Sequence, residues 1–518
     1  MHNQEQTRPD APANPADAAT PAPFSVVPPV RGGRLSRYFL FSFGYIALRF
    51  LLGPLRTRLL TEQLSKEFYG TLTLAVMTIT ALSILLALGS YEFLVRRLPG
   101  LSVDRQKGWL SLLLRRIALP GWLIVGAIAA IVKAVGLFPQ LTLADTACLW
   151  VDLGLTLWLL YHVSYALGGG RIAVVRFIQI FQNDLWFLAI FAAGTWVASA
   201  FAHALWIWTA WLAVLALAVW RLDHRPGPTT LPDGEGLSDV FSYGLPLIPM
   251  IAGEILYRIA DRYLLLGFFD MAVVAEYTLA MNIAMMAYVT SASVLDIDLP
   301  HLNAASNCNR PRNSRIPAPP PTAEMRDIFS MMLRHVSGLG ILLGLGLAIF
   351  RHDIFAIISG PEFRDAAPLL PWMAPIPMAF LLSTTASRAM LAQNRSRQVG
   401  AATLIAALLN LAMDTLTVPL WGARGAAIST FISLLALAIY LFCRLHPTQW
   451  ISLHSWRPFR LLFMAAICAV AYIGIQRYLP TAGPWLRLFA AIPPSLLTLY
   501  FARTFTLADM ALLKSPTT

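Results

Sequence analysis

The sequence predicts an all-α, polytopic membrane protein, and three observations support this. Of the 518 residues, 57% are hydrophobic and only 13% are charged. The mean hydropathy is +0.63, whereas soluble chains carry about 25% charged residues. Apolar runs of the roughly 20 residues needed to cross a bilayer recur along almost the whole chain.

Fourteen segments meet this length, and we expect about 14 transmembrane helices. They lie near 36–60, 69–95, 112–137, 143–167, 172–199, 201–220, 241–268, 272–298, 328–357, 366–391, 399–420, 424–445, 458–477 and 484–505. The expected organisation is a disordered cytoplasmic tail (1–33), a six-helix bundle (34–221), a linker (222–238), a second six-helix bundle (239–445) and two additional helices with a tail (446–518).

A weak internal repeat supports the two bundles. The second helix opens with the sequence KEFYGTL at 66–72, and the eighth opens with AEYTL at 275–279. Both follow a helix interrupted by polar residues and a short loop. Duplicated halves that face each other across a central cavity are a common transporter plan. The Pro-rich loop at 299–325 interrupts the second bundle, and its sequence does not reveal whether it binds a partner.

The basic residues set the orientation. With both termini on one side, 26 lysines and arginines fall on that side and 9 on the other. This bias predicts that both termini are cytoplasmic. The net charge of +12 therefore indicates attraction to anionic lipid head groups. Nucleic-acid binding is disfavoured because the basic residues are dispersed over many loops.

Several function classes find no support in the sequence. It contains no P-loop, nucleophile elbow or secretory signal. The four cysteines are far apart, and neither a metal motif nor a cofactor motif is readable. We therefore expect a protein that is not an enzyme and that needs no metal or other cofactor.

The most informative stretch is a helical hairpin at 239–299. Its first helix begins with Gly244, Pro246 and Pro249, which interrupt the apolar run. Four ionisable residues follow on one face of about 100°: Glu254, Arg258, Asp261 and Arg262. A charge facing lipid is costly, so this face is expected to point into the bundle or into water.

A second intramembrane cation lies in the first helix. Arg49 is roughly 16 Å from the helix start, near the midplane. Guanidinium groups match phosphate oxygens geometrically, so Arg49, Arg258 and Arg262 are candidate ligands for an anionic cargo. The alternative for Arg258 is neutral pairing with Glu254 and Asp261, at spacings of four and three residues.

Other intramembrane groups complete the candidate site. Tyr257 is a candidate for stacking against a sugar ring. Asp184, Glu254 and Asp261 are candidates for responding to a coupling ion, because a carboxyl in an apolar environment binds a proton or another cation. Asp152 and Asp414 also lie in predicted spans. The alternative is that all these acids are counter-charges for buried arginines.

Four segments resemble the oligosaccharide flippases, the Wzx-type polysaccharide transporters of the multidrug/oligosaccharidyl-lipid/polysaccharide exporter superfamily. They lie in the matching order at 64–99, 241–266, 358–376 and 410–430. The Asp261–Arg262 pair stands where this family often has Asp-Arg, and Arg49 stands where relatives carry cationic cavity groups. The long 299–325 loop departs from the pattern.

The resemblance implies a bacterial inner-membrane flippase with alternating access, coupled to a cation gradient. Its cargo would be an undecaprenyl-pyrophosphate-linked oligosaccharide for exopolysaccharide or O-antigen assembly. Expected partners are this anionic lipid, membrane lipids and a glycan polymerase or other assembly proteins. The alternatives are a multidrug cation antiporter, a lipid II flippase or a non-transporting scaffold of a glycan-synthesis complex.

Overall fold

The computed structural model describes residues 32–98, 101–135, 142–194, 201–223, 236–307, 322–393, 395–452 and 456–504. Every regular element in these ranges is helical, which confirms the predicted all-α class. Most of the predicted N-terminal tail, most of the 222–238 linker and residues 308–321 of the Pro-rich loop lie outside the described residues.

The first half contains nine helices within the described ranges: α1 (Gly32–Gln63), α2 (Lys66–Leu86), α3 (Ser90–Arg97), α4 (Val103–Leu113), α5 (Leu119–Ala134), α6 (Leu143–Gly168), α7 (Ile172–Ile180), α8 (Trp186–Ala193) and α9 (Phe201–Asp223). Two π-helical turns, Leu114–Ala118 and Phe181–Leu185, join α4 to α5 and α7 to α8. Each pair therefore forms one long, locally widened helix.

The second half and the C-terminal addition hold the remaining described helices: α10 (Leu237–Gly244), α11 (Ile248–Phe268), α12 (Met271–Asn307), α13 (Ala323–Ile349), α14 (Arg351–Ile358), α15 (Leu370–Met373), α16 (Ile376–Ala392), α17 (Ser396–Trp421), α18 (Ala423–Leu445), α19 (Pro447–Trp450), α20 (Pro458–Tyr478), α21 (Pro484–Ala490) and α22 (Ile492–Phe501). A 3₁₀ turn at Leu245–Leu247 separates α10 from α11, as the Gly-Pro interruption predicts.

Eleven described helices are long and apolar enough to cross a membrane, or up to twelve if the bent pair Pro361–Met373 and Ile376–Leu391 is one span. The predicted spans at 36–60 and 484–505 are not among these helices. Helix α1 carries several arginines, and the last predicted helix is divided into the short α21 and α22.

One predicted boundary is wrong. Helix α12 continues through Asn307, past the predicted end at residue 298, and α13 already begins at Ala323. The prediction counted only the apolar part of the helix, whereas backbone hydrogen bonding continues through the polar segment that follows. Residues 299–307 and 323–325, which were predicted as loop, are therefore helical.

Helix α6 is the centre of the first bundle, where it packs against α2, α3, α5 and α9. Its contact with α5 is a reciprocal pair of tryptophans. The indole of Trp122 donates to the Trp150 carbonyl (2.8 Å), and that of Trp150 donates to the Trp122 carbonyl (3.0 Å). Their rings stack with centroids 4.2 Å apart, so both indole N–H groups are satisfied inside an apolar environment.

In the second bundle α11 packs lengthwise on α17, α18 packs on α16 and α17, and α12 packs on α13 and α16. The C-terminal helices attach to the outside of this bundle. Asp353 of α14 forms an ion pair with Arg487 of α21 (2.5 Å) and accepts a hydrogen bond from Gln476 of α20 (2.5 Å).

The two halves touch where α1 joins α2 and where α11 joins α12, which we call the hairpin end. The ammonium of Lys66 lies 2.5 Å from the carboxylate of Glu276. The backbone N–H of Gly360 donates to the hydroxyl of Thr61 (2.8 Å). An added Cβ at Gly70 would lie only 2.7 Å from the Met271 carbonyl oxygen, so α2 and α12 are in close contact here.

The halves also touch where α3 meets α10, which we call the distal end. A Cβ at Gly89 would lie 2.8 Å from the Gly244 carbonyl oxygen, so two backbones meet without side chains between them. Around them the guanidinium of Arg96 lies 5.0 Å from the ring centroid of Tyr243. The ring of Phe93 lies 6.1 Å from the same tyrosine. The halves are therefore in contact at both ends.

Candidate functional site

The first bundle holds a charged cluster at its second π turn, Phe181–Leu185. Such a turn inserts one extra residue and rotates the side chains beside it, and here it brings Asp184 against α1. The Asp184 carboxylate lies 3.4 Å from the Nε of Arg49 and 3.8 Å from a terminal nitrogen of Arg56. Arg56 also donates to the carbonyl of Asn183. We call Arg49, Arg56 and Asp184 the first-bundle cluster.

The first-bundle cluster has a formal charge of +1, because two guanidinium groups share one carboxylate. The carboxylate is 2% exposed, while the side chains of Arg49 and Arg56 keep 33% and 24% of their surface. Both cations therefore retain surface for a further anion. The predicted anion ligand Arg49 and the predicted ion-responsive Asp184 prove to be one unit.

The second bundle holds the other conspicuous polar cluster, and it begins with the predicted Asp-Arg pair. A terminal nitrogen of Arg262 lies 3.0 Å from the Asp261 carboxylate and donates to the Arg258 carbonyl (2.6 Å). The hydroxyl of Tyr277 donates to the other oxygen of Asp261. Asp261 is 1% exposed and Arg262 3% exposed. Arg262 is therefore held inside the bundle, away from any cargo in this conformation.

A second carboxylate extends this network. Asn410 donates to Asp414 (2.8 Å) and accepts from Ser433 (2.9 Å), and Ser429 donates to the other oxygen of Asp414. These four side chains come from α17 and α18 and are all buried. We call the six residues Asp261, Arg262, Asn410, Asp414, Ser429 and Ser433 the second-bundle cluster.

The formal charge of the second-bundle cluster is −1 with both carboxyl groups ionised, because it contains two aspartates and one arginine, which pairs with Asp261. Carboxylate, amide and hydroxyl oxygens are the ligands that hard cations prefer. A proton on one aspartate would balance the same charge. No group of three or more His, Cys, Asp or Glu side chains suited to a metal ion occurs within the described residues, so a cation here would rely on the amide and hydroxyl oxygens.

Glu254 and Arg258 lie on the face of α11 that is otherwise buried. At about 100° per residue they fall between Ile251, Asp261 and Leu265 on the helical wheel, and those three are buried. Glu254 and Arg258 are nevertheless exposed. Because their neighbours on this face are buried, both side chains border a gap in its packing, which we infer to be a space between the bundles.

Side chains from both halves approach that space. Glu254 interacts electrostatically with Glu92 of α3 as well as with Arg258, and Tyr288 of α12 is near Arg388 of α16 and the same two charges. We call the six residues Tyr91, Glu92, Glu254, Arg258, Tyr288 and Arg388 the central chamber. Arg258 forms no salt bridge with Glu254 or Asp261, so the geometry does not show the neutral pairing considered above. Tyr257, in contrast, is buried near Ser433.

Arg56, Asn410, Tyr277 and Arg388 were not predicted as site residues, and Asp414 was noted only as an acid in a predicted span. One signal was available: Asn410 and Asp414 are four residues apart, as are Ser429 and Ser433. That spacing places each pair on one helix face. The approach of Arg56 to Asp184 depends on a π turn that the sequence pattern does not show.

No protein-family model and no curated protein sequence matches the chain. Solved structures do match. A lipid II flippase, MurJ, in an inward closed conformation aligns with a TM-score of 0.67 and 14% identity, covering 92% of this chain and 99% of that one. An inward-facing MATE-family multidrug resistance transporter of the MOP superfamily aligns with a TM-score of 0.57 and 14% identity, covering 77% and 94%.

A MOP-superfamily transporter from Pyrococcus furiosus, whose binding pocket is described as having reversed polarity, aligns with a TM-score of 0.54 and 14% identity, covering 80% of this chain and 94% of that one. Identities this low establish the shared architecture and no specific substrate. The chain therefore has the fold of the MOP-superfamily transporters and flippases.

Proposed function

We propose that the protein is a flippase that moves an undecaprenyl-pyrophosphate-linked oligosaccharide across the bacterial inner membrane by cation-coupled alternating access. The fold, which the chain has in common with solved transporters and flippases, supports this class. The choice of an anionic lipid-linked cargo rests on the residues of the candidate site. On this proposal the protein catalyses no covalent chemistry.

The observation that carries the proposal is the opposite charge of the two clusters. The first-bundle cluster is net positive and keeps guanidinium surface exposed, whereas the second-bundle cluster is net negative and almost fully buried. An anion is favoured at the first cluster and a cation at the second. Charges in a membrane interior are weakly screened, so one uncompensated charge has a large effect there.

The pyrophosphate is proposed to bind between Arg49 and Arg258. Within the described residues Arg258 forms no salt bridge, and its exposed side chain lies in the central chamber. The guanidinium of Arg49 lies 3.4 Å from the Asp184 carboxylate and keeps 33% of its side-chain surface exposed. A pyrophosphate offers several oxygens to planar guanidinium donors. Neutralisation of Asp184 by a proton would release Arg49 and Arg56 toward the cargo, so one carboxylate links ion binding to anion binding.

The remaining parts of the proposal follow from the sequence and the cargo. The charge bias of the loops supports an inner-membrane protein with both termini cytoplasmic. Membrane lipids and a glycan polymerase are the proposed partners. Tyr257 would reach a sugar ring only if α11 rotates, because it is buried near Ser433 in this conformation.

Two specific observations favour rival cargoes. Similarity to MurJ extends over 92% of the chain, which favours lipid II, itself a lipid-linked pyrophosphate. The buried Asp261 and Asp414 favour a cationic drug, as expected for a multidrug antiporter. The first rival predicts the same dependence on Arg49 and Arg258, whereas the second predicts a dependence on the acids. A non-transporting scaffold predicts no dependence on either.

The experiment is a flipping assay with the purified protein in liposomes. The substrates would be an undecaprenyl-pyrophosphate-linked oligosaccharide, lipid II and a cationic dye, each followed by its accessibility to an external reagent. We expect Arg49→Ala and Arg258→Ala to slow oligosaccharide flipping at least tenfold. Arg477→Ala, an exposed residue in the last turn of α20, is the matched control and should leave the rate unchanged.

The outcomes separate the candidates. Wild-type rates from Arg49→Ala and Arg258→Ala would reject the anion-binding role, and transport of the dye alone would favour the antiporter. Faster flipping of lipid II than of other lipid-linked oligosaccharides would favour the lipid II flippase. No flipping of any substrate by the folded protein would leave the scaffold.

A further inference from the structure

A polar stripe runs along the buried face of α6, away from both clusters described above. Asp145, Cys148, Asp152 and Thr156 follow one another at spacings of three, four and four residues, which places them on one side of the helix. All four are buried, and Asp152 is 0% exposed. The stripe begins in the first turn of α6 and reaches roughly 16 Å into the helix.

Neither carboxylate oxygen of Asp152 has a hydrogen-bond partner within the described residues. The hydroxyl of Thr209 in α9 lies close enough to interact with Asp152, but its hydrogen-bond geometry is satisfied by the Leu205 carbonyl (2.9 Å). The hydroxyl of Thr156, one turn along the stripe, also has no partner within the described residues. An ionised carboxylate in this environment would lack both counter-charge and donors.

The charged groups of the surrounding helices do not supply that counter-charge. No salt bridge to Asp152 occurs in the described part of the chain, and Thr209 is the one residue of a neighbouring helix found to interact with it. The other titratable groups on the stripe are Cys148 and Asp145. On the packed helices, Tyr69 of α2 turns toward Phe363, while Lys133 of α5 and His203 of α9 each have partners of their own.

We propose that Asp152 is a proton-binding site of the first bundle, separate from the charged clusters. A fully buried carboxylate without donors is strongly disfavoured against the neutral acid. A metal ion is a poor alternative because it needs several ligands, and the described residues contain no group of three or more His, Cys, Asp or Glu side chains that could hold one. In the proposed step a proton from water joins a carboxylate oxygen of Asp152, and it returns to water when the bundle opens.

The stripe also gives the proton a route. Asp145 lies in the first turn of α6, close to the membrane surface, and its Oδ1 has no hydrogen-bond partner within the described residues. Cys148 lies between Asp145 and Asp152 on the stripe, and Thr156 continues it past Asp152. The first bundle would then respond to a proton gradient independently of the second-bundle cluster. This role in coupling, though not the protonation itself, rests on the proposed transport function.

The protonation is tested by infrared difference spectroscopy of the reconstituted full-length protein near neutral pH. A neutral carboxylic acid has a C=O stretching band well separated from carboxylate bands, and we expect Asp152→Asn to remove one such band. Asp145→Asn is the control, because Asp145 lies on the same stripe but accepts hydrogen bonds from the backbone and hydroxyl of Thr142 (2.9 and 2.7 Å), and it should leave that band in place. An unchanged band in Asp152→Asn would overturn the proposal.

The coupling is tested in the liposome flipping assay with an imposed pH gradient and no other ion gradient. We expect the gradient to accelerate the wild-type protein several-fold and Asp152→Asn to lose that acceleration while keeping its gradient-independent rate. A full pH response in Asp152→Asn would reject the coupling role. If no variant, including wild type, flips the lipid, the proposed function fails, and the infrared band still decides the protonation of Asp152.

Discussion

Lys66 and Glu276 form an ion pair, with 2.5 Å between Nζ and Oε1, that joins α2 of the first half to α12 of the second. Both residues stand in the two repeated segments that the sequence analysis matched by pattern. The pair lies beside the close contact of Gly70 with Met271. It therefore stabilises contact between the halves at the hairpin end, which the proposed alternating access would break and remake.

The first prediction is that reversing one charge of this pair opens the hairpin end. The side chains are 23% and 24% exposed, so we expect a coupling free energy of only about 0.5–1 kcal/mol. Lys66→Glu should increase the fraction of open molecules several-fold, and Lys66→Glu with Glu276→Lys should restore the closed fraction. Double electron–electron resonance between spin labels at the exposed positions Glu67 and Glu362 would measure the change in the fraction of open molecules.

The double variant is the control for the two single variants. Failure of Glu276→Lys to reverse the effect of Lys66→Glu would show that the two side chains act separately, and not as an ion pair. An open fraction that stays at the wild-type value in both single variants would show that the backbone contacts alone hold this end closed.

The second prediction concerns the Gly89–Gly244 contact at the distal end. A methyl group at Gly244 would collide with the Leu88 carbonyl oxygen, 2.5 Å away, and backbone does not yield as a flexible side chain does. Gly244→Ala should therefore hold the distal end apart, lengthen the distance between spin labels at Ser102 and Ser238, and slow transport. We prefer Gly244 to Gly89 because φ at Gly89 is +73°, so alanine there would also strain the backbone.

Gly267→Ala is the matched control for Gly244→Ala. Gly267 lies near the end of α11, and an added Cβ there would meet nothing within 4 Å. It should leave both the label distance and the transport rate unchanged. A wild-type label distance in Gly244→Ala would refute the assignment of this contact as the distal closure.

The sequence predicted the helical class, the interrupted entry to α11 and the intramembrane charges, because each depends on local composition and periodicity. It did not predict the partners of those charges. Arg49 finds Asp184 only because the chain folds back and a π turn points that carboxylate at α1. The end of α12 was placed too early because span length measures the bilayer and not the helix. The division of the chain into domains at the predicted residues stays a prediction.

The third prediction concerns pH and Glu92 of α3, which lies beyond the membrane-spanning helix that ends at Leu86. Burial, together with the nearby Glu254 carboxylate, raises the pKa of Glu92. A carboxyl with a raised pKa binds a proton more tightly in this state than in water, so lowering the pH stabilises this state. As the pH rises through the raised pKa, that stabilisation is lost and separation of α3 from α11 is favoured.

Acidification should therefore shorten the mean distance between the Ser102 and Ser238 labels, and Glu92→Gln should keep it short at all pH values. Glu67→Gln, an exposed glutamate at the hairpin end, is the matched control and should preserve the pH response. A normal pH response in Glu92→Gln would assign the effect to another group.

The fourth prediction concerns the second-bundle cluster. Because the cluster holds two aspartates and one arginine, and that arginine pairs with Asp261, a bound cation would remove the uncompensated negative charge and stabilise the folded protein. Raising the sodium or proton concentration should raise the melting temperature of the wild type, and Asp414→Asn should abolish the rise. Asp365→Asn, a substitution at an exposed aspartate of the same half, should retain the rise in melting temperature.

Thermal unfolding in detergent at several sodium concentrations and pH values measures these melting temperatures. If sodium and pH shift Asp414→Asn as much as the wild type, the cation binds elsewhere, and the charge asymmetry loses its proposed role in coupling.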